Sequence, residues 1–295
     1  MAGRFGAVIT AMVTPFREDD LSLDLGRAQE LTRWLLERGS ASLVVAGTTG
    51  EGATLSDEEK IDLWLATVEA AEGRGQVIAN TGTYDTAHSI HLTKEAERLG
   101  CNAVLAVAPY YNKPPQEGLY EHFKAIAGST ALPVVLYNIP GRTAVRIENA
   151  TLLQLAEIEN IVGVKDAVGD FPSTSELVAK APADFEVYSG DDMSTFAMVC
   201  LGGVGVIAVT SHLAGERMAH MIDLAESGDV PGARKIHQEL IPIYKGLFAT
   251  TSPILIKAAM DMIGQPVGPP RLPLVPATVE EIGALRRAME DAGVL

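Results

Sequence analysis

The chain has few of the residues that mark secreted, membrane-spanning or nucleic-acid-binding proteins. Its 295 residues include only two cysteines, with no CxxC pair, so neither a disulfide framework nor a cysteine-based zinc site is expected. Lys and Arg total 23 against 38 Asp and Glu, and the net charge of −15 argues against a nucleic-acid or membrane-surface role. No apolar stretch is long enough to span a bilayer, and no N-terminal run resembles a signal peptide. We therefore expect a cytoplasmic protein in which Cys101 and Cys200 are buried free thiols.

The chain does contain a large apolar fraction, arranged in short runs. Hydrophobic residues make up 47% of the sequence, which is ample for a large core. Eight runs alternate with amphipathic segments, and this alternation predicts a (β/α)₈ barrel. A doubly wound sheet is the rival, but no dinucleotide-binding fingerprint accompanies the eight units. The runs are Ala7–Met12, Leu43–Ala46, Gln76–Ala79, Ala103–Val107, Val134–Tyr137, Ile161–Val164, Phe185–Tyr188 and Val204–Ala208.

From about Glu216 onward the pattern is helical only. Thr278 followed by Glu281 predicts a capping box at the start of the last helix. We predict a barrel over residues 1–215 and a helical C-terminal region over residues 216–295, interrupted by a proline-rich loop at 265–273. The predicted helices are Met218–Ser227, Val230–Leu247, Pro253–Ile263 and Thr278–Ala292.

One charged side chain closes an otherwise apolar run. Lys165 ends the run that begins at Ile161, and such a run is typical of a strand buried on both faces. The carboxyl end of a barrel strand is where this fold carries its chemistry. Desolvation there favours the neutral amine, which attacks a carbonyl to form a Schiff base. The alternative is a lysine whose head group reaches water; the polar residues at the other strand ends favour the first interpretation.

Polar residues also follow the predicted second and seventh strands. The segment 47–52 offers backbone N–H groups and the hydroxyls of Thr48 and Thr49 to an anion, although a plain turn has the same composition. Asp191 and Asp192 follow the seventh strand. Adjacent side chains on a strand point to opposite faces, and the six histidines show no ligand spacing, so we expect no metal site.

The fourth and fifth predicted strands are followed by hydroxyl and guanidinium groups. Tyr111 lies in a proline-rich loop at 109–115, where a tyrosine serves in packing, in an interface or as a proton relay. Arg142 lies shortly after Tyr137, the last residue of the fifth run. In so acidic a chain, an arginine at the mouth of the barrel is suited to bind a carboxylate.

Five motifs, in this order and spacing, resemble the dihydrodipicolinate synthase/N-acetylneuraminate lyase family. They are GTTGE at 47–51, PYYNKPP at 109–115, YNIPGR at 137–142, GVKD at 163–166 and SGDD at 189–192. The resemblance runs from about Gly6 to the C-terminus. It implies a barrel that binds pyruvate as a lysine imine. The threonine pair of GTTG and the pair Gly141–Arg142 resemble the synthase branch, since the lyases usually have Gly-Ser-Thr-Gly and lack this arginine.

The resemblance implies condensation of pyruvate with L-aspartate 4-semialdehyde, a step towards diaminopimelate and lysine, with no cofactor. In this scheme Lys165 forms the imine, and Thr48 and Thr49 hold the pyruvate carboxylate. The other implied roles are proton transfer at the imine carbon by Tyr137, a relay to solvent through Thr49 and a neighbouring subunit's Tyr111, recognition of the semialdehyde carboxylate by Arg142, and backbone lining of the pocket by Gly190 and Ile207. The chain would then be a homo-oligomer, with a dimer of dimers expected.

Departures from the family pattern leave alternatives open. Thr210-Ser211-His212 stands where many relatives have Thr-Ala-Asn, and we interpret His212 as structural. The alternatives in function are a pyruvate-dependent aldolase acting on a sugar acid and a catalytically silent sensor or scaffold. Lysine-sensitive relatives bind the effector beside the GTTGE loop, and only Tyr110 of that set is retained here, which predicts weak or absent inhibition. The replaced positions are Gly52, Asp57, Lys60, Tyr84 and His88.

Overall fold

Eight parallel strands form a closed barrel in the computed structural model, which describes residues 3–295. The strands are β1 Val8–Ala11, β2 Ser42–Val45, β3 Gln76–Asn80, β4 Ala103–Val107, β5 Val134–Asn138, β6 Ile161–Asp166, β7 Glu186–Ser189 and β8 Gly205–Ala208. Each pairs with the next along the chain, and β8 pairs with β1. Every predicted run overlaps one of these strands, so the predicted (β/α)₈ barrel is confirmed.

Helices connect the strands and continue beyond the last of them. They are α1 Leu25–Leu36, α2 Asp57–Ala71, α3 Thr86–Arg98, α4 Gln116–Ala127, α5 Pro140–Thr143, α6 Asn149–Leu155, α7 Phe171–Lys180, α8 Thr195–Cys200, α9 Ser211–Glu226, α10 Val230–Leu247, α11 Ile254–Met262 and α12 Val279–Asp291. The predicted capping box is confirmed: the Thr278 hydroxyl accepts from the Glu281 backbone N–H at 3.2 Å, and the Glu281 carboxylate accepts from the Thr278 N–H at 2.8 Å.

The strands are buried on both faces, which is why they read as continuous apolar runs. On β2, Val44 packs inside the barrel with Ile9 and Ile78, whereas Leu43 and Val45 pack outward against the helices. The barrel interior is therefore filled with side chains, and only its ends are open to chemistry.

The C-terminal helices pack against the barrel's last helix. Helix α10 lies against α9 and α12. Helix α9 begins at Ser211 and contains an irregular residue, Ala214, with φ −139° and ψ 32°. The predicted boundary between residues 215 and 216 falls inside this helix, because the first turn of α9 has a polar start that the apolar periodicity did not reveal.

The thiol prediction is right for one cysteine and wrong for the other. Cys101 is buried, and burial raises its thiol pKa to about 12. Cys200 is exposed, because α8 buries Thr195, Met198 and Val199 and leaves its last residue on the solvent side. Across residues 3–295, no helix is both long and apolar enough to cross a membrane.

Candidate active site

Lys165 lies at the carboxyl end of β6 and is almost completely buried, with 6% of its surface exposed. Its register neighbours are Tyr137 on β5 and Tyr188 on β7, and its Nζ lies 4.3 Å from the centre of the Tyr137 ring. Burial lowers the pKa of Lys165 to about 8; the charge of Asp192 opposes this shift, and that of Arg142 adds to it. At pH 8 about half of the amine is therefore neutral, whereas an ordinary lysine is almost wholly protonated.

Tyr137 connects this amine to the loop after β2. Its side chain is buried, and burial raises the pKa of its hydroxyl to about 12 although the Arg142 charge and a hydrogen bond with Thr48 lower it. The hydroxyl therefore keeps its proton at neutral pH. A proton donor consequently lies between the Lys165 amine and the Thr48 side chain.

The segment 47–52 forms a compact turn. The Gly52 N–H donates to the Gly47 carbonyl at 3.0 Å, the Glu51 N–H donates to the Thr48 carbonyl at 3.1 Å, and the Thr14 hydroxyl donates to the Gly50 carbonyl at 2.5 Å. These bonds fix the backbone around the two threonines, with Thr48 exposed and Thr49 buried.

A cavity of about 330 Å³ opens beside this turn. Thr48 lines it, as do Arg142 from α5 and Ser252 from the segment before α11. Lys165 and Tyr137 adjoin this wall, since the Tyr137 hydroxyl lies close enough to Thr48 to affect its pKa and Lys165 packs on the Tyr137 ring. The structure thus brings an amine, a phenol, a hydroxyl-bearing turn and a guanidinium to one end of the barrel.

Gly190 and Ile207 also lie at this cluster. A Cβ on Gly190 would come within 3.1 Å of the Lys165 Cγ and 2.8 Å of the Ala167 Cβ, so only glycine leaves room for the lysine stem. Ile207 is 1% exposed and packs in the barrel interior with Tyr137.

Tyr111 lies apart from the cluster on the surface. Its side chain is 92% exposed, and its φ of 72° lies in the left-handed region. Nearby, Tyr84 is 55% exposed and meets Tyr110 edge-on, with ring centres 5.4 Å apart. An aromatic surface of this kind is unusual for an isolated chain.

Asp192 is a residue whose surroundings were missed by the sequence interpretation, which considered the adjacent acids only as metal ligands. Its carboxylate is buried and accepts the backbone N–H groups of Thr210, at 2.6 Å, and of Val209, at 3.2 Å. Burial raises the pKa of Asp192 overall, although the hydrogen bonds from Thr210 and Val209 oppose this shift. Asp192 ties β7 to the end of β8 and places a carboxylate near Lys165. Within residues 3–295, no three His, Cys, Asp or Glu side chains group as metal ligands.

His212 makes two contacts with the backbone, which support the structural interpretation. Its Nδ1 lies 2.8 Å from the Val209 carbonyl, and its Nε2 accepts the Val13 N–H at 3.2 Å. Burial lowers the pKa of the ring to about 4, so the neutral form with a proton on Nδ1 satisfies both contacts. The ring joins the loop after β1 to the start of α9.

A second polar group lies along the same cavity. Lys60 is 7% exposed and lines the cavity, and its Nζ lies 3.6 Å from the Asp57 carboxylate. The His88 Nε2 lies 2.9 Å from the same carboxylate. Burial alone would raise the pKa of Asp57, but the hydrogen bond and charge of His88 lower it overall. The Asp57 carboxylate is thus already engaged by two partners, Lys60 and His88.

The fold and the site together define a class: a (β/α)₈ barrel with a buried lysine and a hydroxyl-bearing turn at the carboxyl ends of its strands. The sequence matches the model of the dihydrodipicolinate synthetase family over residues 4–292. The chain belongs to this family.

Relatives of this family resemble the chain over nearly its full length. The 4-hydroxy-tetrahydrodipicolinate synthase of Desulforamulus reducens is 52% identical over 99% of this chain and 98% of the relative. The crystal structure of DHDPS from Cyanidioschyzon merolae with lysine bound is 42% identical, with a TM-score of 0.98 over 99% of this chain and 100% of that one. The chloride-inhibited dihydrodipicolinate synthase of Acinetobacter baumannii complexed with pyruvate is 40% identical, with a TM-score of 0.95 over 99% and 100% of the two chains.

Proposed function

We propose that Lys165 forms a Schiff base with pyruvate. The chain condenses pyruvate with L-aspartate 4-semialdehyde to 4-hydroxy-tetrahydrodipicolinate, a step in lysine and diaminopimelate biosynthesis. This is the activity for which relatives that are 51–52% identical to the chain are named. The observation that carries the Schiff-base step is the buried Lys165 amine, with a pKa of about 8, against the ring of Tyr137. A cytoplasmic location is part of the proposal.

The first half of the reaction uses groups of the cluster beside the cavity wall. The neutral amine of Lys165 adds to the pyruvate carbonyl, and a water molecule leaves to give the iminium. The hydroxyls and N–H groups of Thr48 and Thr49 hold the carboxylate. Tyr137, which is protonated at neutral pH, gives a proton to the leaving oxygen. The phenolate that results is then the nearby acceptor for the next proton.

The second half uses the groups nearer to solvent. The iminium withdraws electrons from the adjacent methyl carbon, which gives a proton to the Tyr137 phenolate and, as an enamine, attacks the aldehyde carbon of the second substrate while the aldehyde oxygen takes a proton. The amino group of that substrate then adds to the imine carbon, which closes the ring and releases Lys165 as the free amine. Arg142, exposed on the cavity wall, binds the carboxylate of that substrate. The backbones of Gly190 and Ile207 line the pocket behind the reacting carbons.

The same proposal includes a proton relay across a subunit interface. Thr49 and a neighbouring subunit's Tyr111 would connect Tyr137 to solvent, in a homotetramer built as a dimer of dimers. The support is the surface formed by Tyr111, Tyr84 and Tyr110, because exposed aromatic groups are enriched where chains meet. A Tyr111 side chain so exposed in one protomer is available to another.

The test measures pyruvate consumption by the purified protein with each of two partner aldehydes. Turnover with L-aspartate 4-semialdehyde and none with an N-acylated amino sugar is the expected result, and Lys165→Ala should abolish it. Preference for the sugar would establish the sugar-acid aldolase instead. If neither aldehyde is turned over and borohydride traps no pyruvate, the chain is a catalytically silent sensor or scaffold.

A further inference from the structure

The last residue of the GTTGE motif has no place in the scheme above. Glu51 is 4% exposed, and its φ of 53° is in the left-handed region, which costs a non-glycine residue free energy. Its backbone closes the turn, because its N–H donates to the Thr48 carbonyl and its carbonyl accepts the Thr54 N–H at 2.9 Å. The carboxylate is thus attached directly to the turn that carries Thr48 and Thr49.

That carboxylate binds two groups of the C-terminal region. Its Oε1 lies 2.6 Å from the Nζ of Lys257 on α11, and both side chains are at most 3% exposed. Its Oε2 accepts the backbone N–H of Arg271 at 2.8 Å. The Lys257 ammonium also donates to the Pro269 carbonyl at 3.1 Å. Burial lowers the pKa of Lys257, and the Glu51 carboxylate opposes that shift.

Arg271 extends the connection to two other parts of the barrel mouth. Its guanidinium forms a two-pronged pair with Glu59 on α2, at 2.6 and 2.8 Å, and donates to the Leu21 carbonyl at 2.6 Å. The ring of Phe16 lies under both cations, 4.3 Å from the Lys257 Nζ and 4.2 Å from the Arg271 Cζ. The proline-rich segment is therefore held firmly against the turn.

A buried ion pair contributes little net stability, because desolvation of the two charges offsets most of their attraction. An apolar pair of the same volume would hold the helix equally well. What these contacts add is attachment from two sides: the charge of Lys257 holds Oε1 and the Arg271 N–H holds Oε2, and together they restrict the position of the Glu51 carboxylate. Here that position sets the backbone beside Thr48 and Thr49.

We propose that Glu51 is a positioning residue that, through Lys257 and Arg271, fixes the turn at 47–52 in the geometry that binds the carboxylate of the keto-acid substrate. The inference rests on the proposed function, in which that turn holds the pyruvate carboxylate. It gives residues 253–271 of the C-terminal region a part in substrate affinity although they lie more than 200 positions from the turn along the chain.

The test compares borohydride trapping of two ketones by the full-length protein. Pyruvate carries the carboxylate, and methyl pyruvate presents the same ketone without the charge. Glu51→Gln keeps the shape and removes the charge, and the double variant Glu51→Gln/Lys257→Met removes both charges, so that no buried ammonium is left alone. Glu176→Gln, which breaks the exposed pair with Lys180, is the matched control.

For Glu51→Gln, the pyruvate concentration that gives half-saturation should rise by at least about tenfold, as expected when a binding group is misplaced. Trapping of methyl pyruvate should change by less than about twofold. The double variant should have a melting temperature nearer to that of wild type than Glu51→Gln has, yet still discriminate poorly between the two ketones. The control should behave as wild type. If a folded Glu51→Gln protein, or the double variant where the single one does not fold, binds pyruvate as wild type does, the positioning role is overturned and the proposed function stands. If wild type itself traps neither ketone, the proposed function fails and this inference with it.

Discussion

Replacing Arg142 by alanine should separate the two substrates of the reaction. The guanidinium lines the cavity and is exposed, so it is free to meet a second carboxylate after pyruvate has reacted with Lys165. A hydrogen bond to a charged group contributes about 1.5–3 kcal/mol, which corresponds to roughly 10- to 150-fold in kcat/KM. Because Arg142 is exposed and its charge is screened, we expect the lower half of that range for the semialdehyde.

Arg142 also acts on the amine at a distance, and the assay must exclude that effect. Its positive charge lowers the pKa of Lys165, so Arg142→Ala should raise that pKa and reduce the neutral amine at neutral pH. Trapping of pyruvate is therefore measured at about pH 9 or above, where most of the amine is neutral in both proteins. Under these conditions we expect equal trapping by wild type and Arg142→Ala.

The control is Arg142→Lys, which keeps the positive charge but loses the planar guanidinium that can form two parallel hydrogen bonds with a carboxylate. It should retain the pKa of Lys165 and recover only part of the turnover with the semialdehyde. Equal loss of pyruvate trapping and of semialdehyde turnover in Arg142→Ala would refute the reasoning, because it would assign the guanidinium to pyruvate or to the fold.

Three further outcomes follow from the same geometry. The rate of pyruvate trapping should rise with pH to a midpoint at about 8, the pKa of Lys165. Asp192→Asn should move this midpoint lower, since it removes a carboxylate that raises the pKa of the amine. A midpoint above about 10 would mean an ordinary exposed lysine. Mixing inactive Tyr111→Phe and Lys165→Ala subunits should restore activity in hybrid oligomers, and hybrids that form but stay inactive would exclude donation across the interface. Free lysine in the low-millimolar range should leave activity nearly unchanged, because Lys60 places a positive charge on the cavity and Asp57 is already paired; half-inhibition below about 1 mM would show a rebuilt effector site.

The fold was predictable because each strand of this barrel is buried on both sides. Val44 faces the barrel interior while Leu43 and Val45 face the helices, so β2 appears in the sequence as an unbroken apolar run. The start of α9 was not predictable in the same way, since its first turn contains Ser211 and His212, which are buried but polar. Burial of polar residues depends on tertiary partners that a local pattern does not contain.

The site was predictable to the extent that its chemistry lies at strand ends. Lys165 and the two threonines of GTTGE follow apolar runs, and parallel strands of a barrel bring such positions together. The partners of Glu51 could not be inferred, because Lys257 and Arg271 reach it only through the packing of the C-terminal helices. Asp192 had a local signal, an acid just after β7, but its contacts with β8 appear only when the barrel closes.

The most direct test of the account is to locate the trapped substrate. Borohydride reduction in the presence of pyruvate, followed by proteolysis and mass measurement, should place one reduced pyruvyl group on the peptide that contains Lys165, with no labelling of Lys165→Ala. Labelling of Lys60 or Lys257, the other buried lysines, or of a surface lysine with Lys165 unmodified, would contradict the assignment of the Schiff base on which the proposed mechanism depends.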